Sequence, residues 1–179
     1  HLRVLAEKLY RRNPREWRKG NHASVEEAVA RLFNGDFQQQ MPELQGRRGT
    51  EAVHLAFRDD FSGDRVAAFI WGLVTMTLAA YNDRTEFFVL DELDPQKLYN
   101  AARNYEIAAW KLAHAKNGHG EPYLLSNEIT ATERNLSFER EFGKLIGETD
   151  MMARIVAGRT QRTIVRVVQN LATAVFLPI

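Results

Sequence analysis

The sequence predicts an all-α protein, a single-domain bundle of about six to eight helices spanning residues 1–179, and three observations lead there. Apolar residues recur at the helical period in nearly every patterned segment, and no two alternating runs are joined by an Asn-Gly or Asp-Gly turn. Composition is that of a folded globule, 45% apolar and 26% charged. At 179 residues one domain buries roughly 70% of the surface its unfolded chain exposes, and neither repeats nor low-complexity tracts mark a second.

In chain order, LRVLAEKLYRR sets Leu2, Val4, Leu5 and Leu9 on one side and stops at Asn13-Pro14. SVEEAVARLFNGD has a capping-box pair, Ser24 and Glu27, with Val25, Ala28, Val29 and Leu32 on one face. Residues 36–49 are polar and broken by Pro42, Gly46 and Gly49, a loop-rich connection with room for one helical turn. TEAVHLAFRDDF resumes a helix behind a Thr50 cap, and Ser62-Gly63 ends it.

VAAFIWGLVTMTLAAY, Val66–Tyr81, carries no formal charge and follows Asp64, a good N-cap. Sixteen helical residues reach about 24 Å, short of the roughly 30 Å hydrocarbon layer, so the segment is too short for a membrane span. It reads instead as a buried central helix, with Ala68, Gly72, Thr75 and Ala79 forming a small-residue stripe on which another backbone can lie closely. Its expected partners are the 98–115 seam and the C-terminal set Ile164, Val165, Val168, Leu171, Ala172, Val175 and Phe176.

Phe87–Leu90 is expected to be helical or irregular. Asp94-Pro95 is a strong helix start, and Leu98, Ala101, Tyr105, Ala108, Leu112 and Ala115 form a seam until Asn117-Gly118. Residues 117–136 form a second loop-rich connection. From Ser137 the pattern is helical to Pro178, with Gly158 either dividing two helices or lying inside one.

No cysteine is present, which excludes disulfides, thiolate metal sites and cysteine nucleophiles. Gly-rich phosphate loops, the Gly-x-Ser-x-Gly elbow and His-Glu-x-x-His are also absent, so no catalytic residues, cofactor or metal are predicted. His114, His119 and Glu121 fit no closed zinc spacing, and Asp59, Asp60, Asp91, Glu92 and Asp94 diverge or cap. Charge is uneven: residues 1–20 carry a net +5 and residues 153–179 a net +4 without one acid, inside a total of +1. Such ends can meet an anionic surface or pair with the acidic middle; no module for nucleic acid accompanies them. Arg159, Arg162, Arg166, Gln169 and Thr173 form a polar stripe on the expected last helix.

The candidate ligand face lies on the helix from Pro95. Tyr99, Arg103, Glu106, Trp110 and His114 follow one another at helical spacing, so charge and flat aromatic walls share one side. They line a small-ligand or hydrolytic cleft beside residues 95–117, or Arg103 and Glu106 simply pair while the aromatics pack.

At FFVLDELDPQKLYNAARNYEIAAWKLA and RVVQNLATAVFLPI the chain resembles a group of uncharacterised proteobacterial cell-envelope proteins predicted to be lipoproteins. The resemblance implies a helical domain outside the cytoplasm, facing the periplasm and tethered by a lipid anchor upstream of His1 rather than by a transmembrane helix. Together with the missing motifs, it leads to the expectation of a non-enzymatic domain that binds another envelope protein or scaffolds an assembly.

Overall fold

The computed structural model describes residues 1–35, 37, 41–84, 93–129, 132 and 134–179. Among them are seven α-helices: α1 Leu2–Arg12, α2 Pro14–Lys19, α3 Val25–Phe33, α4 Gly49–Leu55, α5 Arg65–Ala80, α6 Pro95–His114 and α7 Ser137–Thr160. The chain is an all-α single domain. Phe87–Leu90, Asp91 and Glu92 lie outside the described residues.

The central helix is α5, which packs against α1, α2, α3, α4 and α6. Asp64 begins it by accepting the Ala67 N–H at 2.9 Å, and Val66 through Met76 are buried without interruption. The small-residue stripe admits α4: an added Cβ on Gly72 would sit 2.6 Å from the Val53 backbone nitrogen and 2.7 Å from the Gly49 carbonyl oxygen. Three residues on, the Thr75 hydroxyl donates to the Trp71 carbonyl at 2.7 Å and accepts the Gly49 N–H at 2.7 Å, so it starts α4 from below. That contact replaces the predicted Thr50 cap; α4 begins at Gly49 and ends at Leu55 rather than running on through Phe61. No helix among the described residues is long and apolar enough to cross a membrane.

α1 buries Leu5, Ala6, Leu9 and Tyr10, and Val4 points out, 45% exposed. Beside the start of α5 the Tyr10 hydroxyl donates to Asp64 at 2.9 Å. Ser24 caps α3 by accepting the Glu27 N–H, and the Glu27 carboxylate returns one residue further back, to the Ala23 N–H. Pro42–Leu44 form a single 3-10 turn inside the first loop-rich connection.

Burial raises the Asp64 pKa above 3.8, against the pull of the Ala67 N–H and the Tyr10 hydroxyl. A carboxyl that binds its proton more tightly folded than unfolded gains stability as pH falls through the raised pKa toward 3.8. Asp64→Asn removes that titration. In urea melts across pH, the stability difference between the two proteins is expected to move in favour of the native chain on acidification. Asp64→Ala also loses the cap, at a cost of about 1–2 kcal/mol at every pH.

α6 and α7 lie along each other. The predicted seam is buried at Leu98, Ala101, Tyr105, Ala108 and Leu112, and the Tyr105 and Thr77 hydroxyls bond each other between α6 and α5. α6 ends at His114, three residues before the predicted Asn-Gly stop. In the second connection two-residue strands, β1 Glu128–Ile129 and β2 Arg134–Asn135, pair antiparallel, a ladder that the sequence pattern did not announce.

The C-terminal part corrects the sequence reading. Gly158 lies inside α7, but the helix stops at Thr160, where Gln161 adopts φ 54° and the amides of Gln161 and Arg162 both reach the Ala157 carbonyl. Residues 162–179 form no helix. They run extended, turn near Asn170–Thr173 and return to Ile179. Thr163, Ile164, Val165, Val167 and Val168 are β-branched, which favours extended backbone over helix. The set expected to cover α5 is therefore largely outside: Val165 is 67% exposed, Val168 99% and Val175 72%.

Candidate functional site

The site is built by α6, α7 and the extended C-terminal segment. The residues of α6 that meet this segment are mostly side-chain amides, and they grip backbone rather than side chains. Gln96 accepts the Val165 N–H at 2.8 Å and donates to the Val165 carbonyl at 3.1 Å. One turn along, the Tyr99 hydroxyl accepts the Val167 N–H at 3.1 Å and faces its carbonyl at 3.3 Å. Asn104, fully buried, accepts the Leu177 N–H at 2.7 Å and donates to its carbonyl at 2.8 Å. Asn100 donates to the Pro178 carbonyl and accepts from Gln96, so the row is internally braced. Helix side chains thus take the place that a neighbouring strand has in a sheet.

In an extended segment, successive residues turn their backbone groups to opposite sides. Val165 and Val167 spend theirs on α6. Ile164, Arg166 and Val168, between and beside them, make no backbone hydrogen bond among the described residues. One edge of the segment is thereby hydrogen-bonded to α6 and the other left open.

Between the segment and the two helices is an open cleft of about 770 Å³, lined by Tyr99, Arg103, Asp150, Arg154, Thr163 and Arg166 over an apolar base of Ala153, Ala157 and Ile164. Arg103 bonds Asp150 at 2.7 Å and Glu106 at 3.0 Å and lies over the Tyr99 ring, 5.0 Å from its centre. Burial works against the Arg103 charge, but the two carboxylates outweigh it and hold its pKa above the ordinary value. Burial, aided by Asp150, raises the Glu106 pKa against the pull of Arg103. Arg154 and Arg166 have no ion-pair partner among the described residues. A second cavity, about 510 Å³, lies where Phe176–Ile179 meet α4 and α5; its rim charges Arg48 and Asp83 pair at 3.3 Å.

Of the five residues predicted to share a ligand face, Tyr99 and Arg103 line the cleft and Glu106 supports Arg103. Trp110 and His114 do not line it. Their rings stack at 4.8 Å, and the His114 Nδ1–H donates to the Trp110 carbonyl at 2.8 Å. The other groups weighed in the sequence are engaged elsewhere: Asp59 accepts from Tyr123, Asp60 pairs with Arg58, and Asp94 caps α6. No group of three or more metal-ligating side chains converges among the described residues.

Sequence spacing does not bring Asp150, Arg154 and Arg166 to one cleft with Arg103, and Arg166 falls instead on a helical stripe with Arg159 and Arg162. A signal existed for the grip. Gln96, Tyr99, Asn100, Arg103 and Asn104 fall at i, i+3, i+4, i+7 and i+8, a polar band on one face of an alanine-rich helix. Comparison with protein families, with curated proteins and with solved structures found no match.

Proposed function

We propose that this chain is a non-enzymatic binding domain of the cell envelope, lipid-anchored from upstream of His1, which docks an extended segment of a second envelope protein onto the open edge of residues 164–168. The single observation that carries the reading is the alternation at that segment. Val165 and Val167 are bonded to α6 through both backbone groups, while those of Ile164, Arg166 and Val168 have no partner among the described residues, beside valines that are 67% and 99% exposed. Exposed strand edges are ordinarily blunted, and one held in a single conformation is suited to strand addition, with main-chain bonds giving affinity and side chains giving selectivity. Arg159 and Arg166, on a stretch with no acid from residue 153 onward, favour a partner segment that carries Asp or Glu.

The test is capture from envelope extracts by the native chain and by Val165→Asp/Val168→Asp. Both side chains are exposed, so the double variant is expected to melt with the native protein yet lose the captured partner. Equal capture by both proteins, or none by either, would overturn the docking edge. Localisation is tested separately by the encoded sequence before His1: a charged start, an apolar run and a lipidated cysteine are expected, and an ordinary cytosolic start there would contradict it.

A further inference from the structure

We infer that the cleft between α6, α7 and residues 163–166 binds a phosphate ester of headgroup size, with Arg154 and Arg166 as the residues that hold the phosphate. Two arginines from different elements line one cleft, Arg154 on α7 and Arg166 on the extended segment. Neither has an ion-pair partner among the described residues, whereas Arg103 on the cleft wall is already paired with Asp150 and Glu106. An anion in a cleft with two such arginines on its lining is attracted by both charges. Guanidinium forks match the oxygens of phosphate two at a time, which a chloride or a single carboxylate cannot exploit as fully.

Size points past a bare ion. About 770 Å³ lies in the range of small-molecule sites, and the base formed by Ala153, Ala157 and Ile164 offers apolar contact to the uncharged remainder of the ligand. The Thr163 hydroxyl, also on the lining, supplies a neutral donor or acceptor for an ester or glycerol oxygen. Such a phosphate ester can be dissolved or can be the headgroup of a phospholipid in a bilayer. On α7 the exposed Met151 and Ile155 flank Arg154, an arrangement of apolar and basic groups that suits a lipid surface.

The probes are glycerol 3-phosphate, and vesicles of phosphatidylcholine with and without phosphatidylglycerol. Glycerol 3-phosphate is expected to raise the Tm of the native chain and of Arg159→Gln, an exposed arginine of α7 outside the cleft. Arg154→Gln/Arg166→Gln is expected to bind at least about ten-fold more weakly, since two charge-assisted contacts are lost. Since both arginines are exposed and have no ion-pair partner among the described residues, the double variant should fold as the native chain does. Flotation with phosphatidylglycerol vesicles that glycerol 3-phosphate competes away assigns the ligand to a lipid headgroup; response to the soluble ester without flotation assigns it to a dissolved phosphate ester. Either source sustains the site. No response from the native chain to any probe, or an equal response from the double variant, would overturn it.

Discussion

Replacing Gly72 with alanine is expected to destabilise the protein by about 3 kcal/mol, the upper part of the range for overpacking a closed interior, and Gly72→Val to leave it unfolded. The atoms that a Cβ would meet are mainly backbone: the Val53 nitrogen at 2.6 Å and the Gly49 oxygen at 2.7 Å, with Val53 Cγ2 also at 2.6 Å. A flexible side chain could swing aside, but these belong to α4 itself, so the helix as a whole must back away from α5. Doing so would break the Gly49 N–H to Thr75 bond that starts α4. With total stability of small proteins in the range of about 5–15 kcal/mol, a larger side chain than alanine exceeds what the fold can absorb. Gly143 and Gly147 on α7 are the comparison, because a Cβ there meets nothing within 4 Å. Gly143→Ala or Gly147→Ala is expected to stabilise by about 0.5–1 kcal/mol through helix propensity alone. Urea denaturation of the three alanine variants checks both signs.

Asn104→Ala is expected to lose about 2 kcal/mol and to loosen residues 175–179, because truncation removes a buried amide that satisfies both backbone groups of Leu177. Asn104→Asp separates shape from chemistry: a carboxylate still accepts the Leu177 N–H but cannot donate to the carbonyl, so it should be as damaging as alanine at neutral pH. Adding Gln96→Ala frees Val165 as well. The double variant is expected to keep the helical circular dichroism of the native chain while trypsin cuts after Arg162 and Arg166 many times faster. Equal cleavage rates in the native and double-variant proteins would mean that α6 does not hold the segment.

These two sites differ in how far they could be read from residue order. Gly72 stands out because it falls on a stripe with Ala68, Thr75 and Ala79 in a segment without charge, and such a stripe states that something comes close, though not that it is α4. Asp64, Ser24 and Asp94 announce helix starts through their own side chains, and all three cap as read. The C-terminal segment misleads because its apolar residues, from Ile164 to Phe176, satisfy a helical spacing while its β-branched residues favour extension. Local preference and a tertiary grip from α6 together decide against the helix. The grip itself has only half a signature: Gln96 and Asn104 are visible, but their partners are main-chain groups of Val165 and Leu177, which every residue type carries. For the same reason the cleft was only half foreseen. Tyr99 and Arg103 share a helix face and can be inferred, whereas Asp150 and Arg166 arrive from 47 and 63 residues further on through packing that no local pattern encodes.

Residue-resolved amide hydrogen exchange on the native chain tests most directly whether residues 164–168 form a docking edge held by α6. The amides of Val165, Val167 and Leu177 are expected to exchange slowly, because Gln96, Tyr99 and Asn104 accept from them, and those of Arg166 and Val168 to exchange close to the rate of an unstructured chain. Fast exchange at all five would show that the segment is not held, and slow exchange at Arg166 and Val168 in the isolated chain would show that the edge is already covered; either result contradicts the open edge.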